Sequence, residues 1–491
     1  MSRTGGSFPH PAYARYVLEP GFRESQRLIF PHMMAANEAH TLMLAETGVI
    51  SREHAASLLA ALAQVNDAGV DSCTYAPEVE DLFFAIENRL VDITGPEIGG
   101  NLQIARSRND LAAVVCRLMI RERLAMTQEQ VIALRETLLD LAEAHVRTIM
   151  PGITHTQPAQ PTTLAHYLLG VLGPLERDSE RLRQAWSRVN RSPLGVAAFT
   201  TTSFPVDRDL AAKLLGFDGV VENGYDAVGA GDHMLESVQV LVTLVGSLSR
   251  FVYELLIWTR AEVGILRVAD EFIQISSIMP QKRNPVVLEH VRARIGYVYG
   301  DAATVATMIH SAAFGDTNDV EDEIYVPIAR AFDATESVLT LLDVSLQTAS
   351  FDVDLLAKRA GQGNTTTTAI ADGLVRDFGL PFRTAHSIVS RLVAEGSAIT
   401  SAHIAEVAQG ITGQHLDIHE AWAERTLDPW NFVEARTILG GPAPATTAAA
   451  VATGRERLAQ DRQRLERAEA QIREAAVNRA ARIAEYVAPL E

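Results

Sequence analysis

Apolar residues along the chain recur mainly at three- and four-residue intervals, the signature of helices with one buried face. In "SREHAASLLAALAQV", Ser51 stands at a start position with Glu53 after it, and Ala55, Leu58, Leu59 and Leu62 line one side, which predicts an amphipathic helix. Shorter patterns of this kind fill residues 1–105, broken by "ETGVIS" and "NDAGVDSCTYAPEVED" and closed by the glycine-rich "TGPEIGGN". A helical run follows in "ARSRNDLAAVVCRLMIRERLAM". Next, "TQEQVIALRETLLDLAEAHVRTI" sets Thr127 and Gln130 at capping-box spacing, predicting a fresh helix start. Its stop is expected in "MPGITHTQPAQP", where prolines remove backbone donors.

Residues 231–263, 285–311 and 327–348 are apolar on more than one side, so helices there want partners all around them. They predict a long helical bundle completed by other subunits. Beyond Asp352 the helices shorten and are separated by segments such as "GQGNTTTT" and "GGPAPATTAAA"; the Arg- and Glu-rich tail predicts a solvated helix or helix pair. The expected architecture is all-α. A helical N-terminal domain covers 1–105, a central long-helix bundle 106–352, and a small helical C-terminal domain 353–491.

A length of 491 residues with 47% apolar side chains supports several buried cores. The formal charge of -18 opposes binding to nucleic acid or an anionic membrane, while a local pocket can still hold a small anion. Cys73 and Cys116 are too few for a disulfide framework or a thiolate metal cluster. The first residues lack a secretory pattern and no run of eighteen purely apolar residues occurs, so a cytoplasmic, soluble chain is expected.

Three polar constellations interrupt the helical pattern. In "ARSRND", Ser107, Arg108, Asn109 and Asp110 precede a helical run, and Arg108 offers a forked partner for a carboxylate. In "GITHTQPAQPTT", Thr154, His155, Thr156, Gln157 and Gln160 gather between turns, and His155 can transfer a proton. In "ISSIMPQKRNP", Lys282 and Asn284 can hold an anion, and Ser276 or Ser277 can supply an oxygen base once cations and backbone donors stabilise its alkoxide. No G-x-S-x-G elbow surrounds either serine, which disfavours a serine hydrolase.

Taken together, "GGNLQIARSRND", "GITHTQPAQP" and "SSIMPQKRNP" resemble the fumarase/aspartase superfamily in its argininosuccinate-lyase-like branch, supported by "AHTLMLAETGVI" and "GLPFRTAHSIV". The resemblance implies anti elimination from a substituted succinate, releasing fumarate. It also implies a mainly helical, three-domain homotetramer whose active sites each draw on three chains. Carried over by motif, Ser276 is the base and Ser277 an adjacent anion-binding hydroxyl. Lys282 and Asn284 clamp the carboxylate that receives the developing charge, Ser107, Arg108, Asn109 and Thr154 bind substrate, His155 assists on the leaving-group side, and Glu289 orients it. The reaction needs no metal or redox cofactor, since no net electron transfer occurs.

The chain departs from the branch's pattern at the amine side. "FGDTNDVEDEIY" stands where a "YNRDLQEDK" pattern is usual, with Val320 for Gln, Glu323 for Lys and Phe314 near the Tyr; Gly231 replaces an Arg, Phe83 stands near a usual His, and Gln103 replaces another. The sequence therefore looks closer to lyases of N-substituted aspartates, among them ethylenediamine-N,N'-disuccinate lyase, with Asp316, Asp319 and Glu323 as candidates to meet ligand amines. Argininosuccinate lyase, adenylosuccinate lyase and a crystallin-like structural protein on the same scaffold are the alternatives.

Overall fold

A computed structural model describes residues 8–488. Near the N-terminus, α1 (Phe30–Glu46) carries apolar residues all round and is buried at Met34, Leu42, Met43 and Leu44, packed between α2 (Arg52–Ala68) and the central helices. Helix α2 starts where expected: Ser51 accepts the His54 N–H at 3.2 Å, and Ala55, Leu58, Leu59 and Leu62 are buried. Helix α3 (Leu82–Thr94) is capped by Asp81, which accepts the Phe84 N–H at 2.9 Å.

One unbroken helix, α4 (Arg108–Ala144), spans the region where a second start was expected at Thr127. The Thr127 hydroxyl instead donates to the Arg123 carbonyl at 2.9 Å, one turn back. The working capping box is twenty residues earlier, at Ser107 and Asp110. No breaker separates the two sites, and a helix once nucleated propagates through a locally favourable start signal.

Helix α4 opens a ring of five. It packs on α5 (Leu164–Val189), α5 on α6 (Asp232–Trp258), α6 on α7 (Val286–Ser311), α7 on α8 (Tyr325–Gln347), and α8 returns to α4. The last three match the long apolar segments of the sequence within a few residues. Helix α6 is long and apolar enough to cross a membrane by length and composition, and it lies between α5 and α7 in the ring. Its Val238, Leu241, Leu244, Val245, Leu248, Val252 and Leu255 are buried, each stabilising the bundle by about 1.5–3 kcal/mol.

The proline-rich stop is a hairpin: β1 (Ile149–Thr154) pairs antiparallel with β2 (Gln157–Thr163), with Pro151 opposite Pro161. In a two-stranded sheet each strand is an edge, where a missing N–H is tolerated. A second short hairpin, β3 (Gln274–Ile275) with β4 (Arg283–Asn284), carries the "SSIMPQK" segment at its tip.

Between residues 367 and 427, four short helices enclose their own core of Ile370, Leu374, Ile388, Leu392, Ile404 and Trp422. The tail forms a single helix, α9 (Pro444–Val487), which runs back along α4 and α2. A Cβ on Gly454 would lie 2.8 Å from Leu139 Cδ2, so the two helices cross closely. Part of the tail's charge joins it to the bundle: Arg135 pairs with Asp461 at 2.7 Å and Arg479 with Glu38 at 2.9 Å.

Candidate active site

The turn before α4 is built from the inside outward. Buried Arg106 donates to Asn37 Oδ1 at 2.7 Å and to Gln103 Oε1 at 3.2 Å, with the Phe83 ring 6.0 Å away. Two of the departures noted in the sequence, Phe83 and Gln103, therefore surround Arg106. Beneath it His40 is fully buried with Nε2 3.0 Å from the Ile104 carbonyl; burial, aided by the Arg106 charge, lowers its pKa to about 3. The imidazole is neutral and donates to that carbonyl.

Asp110 fixes the turn. Its buried carboxylate accepts N–H bonds from Ser107 (2.9 Å), Gly195 (2.9 Å) and Ala197 (3.0 Å), while burial raises its pKa to about 6. The Ser107 hydroxyl donates to Asn109 Oδ1 at 2.5 Å, and Asn109 Nδ2 donates to Asp316 Oδ2 at 2.6 Å. Arg108 Nη1 donates to Asp81 Oδ2 at 2.8 Å and Glu80 Oε1 at 3.4 Å, and its guanidinium lies 5.0 Å from the Phe84 ring centroid. The Nε–Nη2 edge has no hydrogen-bond partner among the described residues, leaving the fork open to a carboxylate. Carboxylates outnumber cations here: burial, together with Asp322 and Asp316, pushes the Glu321 carboxyl up to about 8.

At the tip of the first hairpin, His155 and Thr156 both adopt left-handed backbone, with φ of 51° and 64°. Two such residues suit the right-handed twist of the flanking strands, at a conformational cost of about 1–2 kcal/mol each for non-glycine residues. Thr154, His155 and Thr156 are exposed, while Gln160 donates to Thr368 at 3.1 Å and so ties the hairpin to the small C-terminal helices.

In the second hairpin, Ser276 Oγ accepts backbone N–H bonds from Met279 at 3.1 Å and Ile278 at 3.4 Å. This is the donor arrangement that an alkoxide at that oxygen needs. Asn284 Nδ2 donates to the Gln274 carbonyl at 3.0 Å, Arg283 pairs with Asp270, and Lys282 has no ion-pair partner among the described residues. Ser277, Lys282 and Glu289 are exposed, as are Ile275 and Ile278 at 80% and 82%.

Among the described residues, no hydrogen bond or ion pair links any of these three segments to another, and none joins His155 to Glu289. The helices explain why. Helix α4, with 37 residues, separates Ser107 from the first hairpin by a rod of about 55 Å. Helix α7, with 26 residues, separates the second hairpin from the Asp316 loop by about 39 Å. Through the Asn109–Asp316 bond, the ARSRND turn sits at the far end of α7 from Ser276. Beside the first hairpin an open groove of about 1410 Å³ is lined by Thr154, His166, Gly246, Tyr253, Arg292 and Tyr299.

The pairing partners Asp81, Glu80 and Arg106 went unassigned in the sequence. Asp81 carried a signal, standing just ahead of the apolar run "LFFAI" where an N-cap belongs.

The fold and the site define an all-α protein whose long-helix ring carries polar motifs at its ends. The lyase family pattern matches residues 23–300, and the argininosuccinate lyase C-terminal pattern matches residues 364–434. The chain belongs to the lyase family of the fumarase/aspartase superfamily, in its argininosuccinate-lyase-like branch, and is a fumarate-forming carbon–nitrogen lyase. It is 41% identical over 434 residues to argininosuccinate lyase of Halobacterium salinarum, covering 87% of each chain. It is 40% identical over 448 residues to argininosuccinate lyase of Methanoculleus marisnigri, covering 89% of each. Its fold is similar to that of a variant of EDDS lyase with bound fumarate, at a TM-score of 0.86 and 30% identity over 99% of this chain and 97% of that one.

Proposed function

We propose that the chain cleaves an N-substituted aspartate, with ethylenediamine-N,N'-disuccinate as the first candidate, to fumarate and an amine. Ser276 Oγ takes a proton from the carbon beside the reacting carboxylate, and Lys282 and Asn284 hold the dianionic aci-carboxylate that results. The C–N bond then breaks, the carbon–carbon double bond forms, and the amine leaves as His155 supplies a proton, with Glu289 orienting the imidazole. Arg108, through its open Nε–Nη2 edge, binds the other carboxylate with Ser107, Asn109 and Thr154, while Ser277 adds a hydroxyl donor. Anti geometry sets base and acid on opposite faces of the substrate.

The observation that carries this reading is the pair of backbone N–H groups of Ile278 and Met279 on Ser276 Oγ, which lowers the cost of ionising a hydroxyl. Asn284 exchanges its bond to Gln274 for one to the substrate carboxylate. The rods α4 and α7 keep the motifs of one chain apart, which supports a homotetramer in which three chains supply each site. Exposed Ile275, Ile278, Tyr253 and Tyr297 supply apolar surface for such contacts.

For the amine side, Val320 is buried in the chain's own core, and Glu323 and Phe314 face solvent. The groups that an argininosuccinate amino-acid end would meet are thus replaced. The second reading, argininosuccinate as substrate, is favoured by the identity of 41% to an argininosuccinate lyase. Ultraviolet detection of fumarate with each substrate offered separately, and identification of the amine product, decides between them. Turnover of argininosuccinate with none of the disuccinate reverses the ranking.

A further inference from the structure

We infer that Asp316 is a positioning residue, which holds the Asn109 amide in one orientation and leaves a single N–H of that amide free for substrate. The inference rests on the proposed role of Asn109 as a substrate contact and adds a residue that the motif itself does not contain.

An asparagine amide at an open turn has two orientations, related by exchange of its oxygen and nitrogen. Here the Asp316 end assigns the orientation, and the Ser107 hydroxyl completes it. Ser107 Oγ, which accepts the Asn109 N–H at 3.3 Å, donates its own proton to Asn109 Oδ1 at 2.5 Å. At the other end a carboxylate, which only accepts when ionised, takes a proton from Nδ2 at 2.6 Å. Turning the amide over would set its oxygen against the Asp316 carboxylate and its nitrogen against a hydroxyl already oriented by the cap. One of the two Nδ2 protons is used by Asp316, so the second is directed rather than free to turn.

Asp316 can do this only if its loop is itself held. Gly229 and Gly315 meet backbone to backbone: a Cβ on Gly229 would come within 2.9 Å of Gly315 N and 3.0 Å of its Cα. Val320, four residues after Asp316, is buried, and its N–H bonds the Thr317 carbonyl at 2.9 Å. The loop is thereby seated against the segment before α6 and delivers a carboxylate to a turn 207 residues away in sequence. Gly231, two residues on from Gly229, packs instead on the end of α7, where a Cβ would meet Ile309 side-chain atoms at 3.1 Å.

The test is a mutant cycle on the full-length protein, Asp316→Ala, Asp316→Asn, Asn109→Ala and the Asp316→Ala/Asn109→Ala pair. It is read as KM and kcat for fumarate release and as the dissociation constant of added fumarate. Asp316→Ala should raise KM about tenfold, as loss of a charge-assisted contact does, with a smaller change in kcat. Asp316→Asn keeps a carbonyl acceptor for Nδ2 and should restore most of the loss. The double variant should be no worse than Asn109→Ala alone. Full additivity, or Asp316→Asn behaving as Asp316→Ala, overturns the inference. If no N-substituted aspartate yields fumarate, the functional reading fails. The positioning claim is then decided by a crystal structure of Asp316→Ala, in which the Asn109 amide should leave Ser107; an unmoved amide overturns it.

Discussion

Replacing Asp110 by alanine removes the acceptor of three backbone N–H groups at once. Gly195 is buried, so its orphaned donor incurs the full loss, while Ser107 and Ala197 are half-buried and partly rescued by water. At about 1–3 kcal/mol for each unsatisfied donor, with the two wetter ones at the low end, the expected destabilisation is about 3–5 kcal/mol. Against this stands the cost of a charge in the interior, visible in a pKa raised to about 6 from 3.8. A shift of roughly two units is worth about 3 kcal/mol. Because the folded pKa lies above the unfolded one, the stabilisation linked to this proton is complete below pH 3.8 and is lost as pH rises through 6. The alanine variant has no such slope. Urea unfolding followed by tryptophan fluorescence should therefore show a gap between parent and variant that is widest below pH 3.8 and narrows by about 2 kcal/mol between pH 4.5 and pH 8. A gap that stays constant, or widens toward alkaline pH, refutes this account of how the turn is held.

Ser276→Ala should lower kcat by about 10²–10⁴-fold, with unfolding curves unchanged because the tip is exposed; near-parental turnover in a fumarate assay rejects Ser276 as the base. His40, lowered to about 3 by burial, cannot take up the proton that the unfolded chain binds below pH 6.5. Stability linked to it should fall by about 1.4 kcal/mol per unit as pH drops from 6.5 toward 3, and His40→Gln should flatten that part of a melting-temperature profile. Gly229→Ala forces Gly315 away and should make residues 312–324 the first site cut in limited proteolysis; an unchanged digestion pattern counts against the seated loop.

The bundle was legible because α6, α7 and α8 carry apolar residues over long uninterrupted stretches, a signal summed over many positions. Local signals were less secure. Thr127 and Gln130 have the spacing of a helix start, yet nothing ahead of them stops α4. The first hairpin stayed hidden because Pro151, Pro158 and Pro161 mask the alternation that marks strands. The tail is one helix rather than a pair because "QIREAAVNRA" has no residue that ends a helix. At the candidate site, residue types were readable in each motif, and so was the Ser107 cap. The bonds from Arg108 to Asp81 and from Asn109 to Asp316 were not, since they join residues 27 and 207 positions apart and follow from packing alone. Phe83 and Gln103 stood out as departures, but their common neighbour, buried Arg106, became visible only in three dimensions.

The left-handed backbone at His155 and Thr156 sets a direction for change in this chain. Glycine at either position would relax the hairpin at once, so a population screened only for heat resistance should drift toward it. At position 155 that drift would discard the imidazole, and on the role proposed for His155 thermal selection and turnover would pull the same codon in opposite directions.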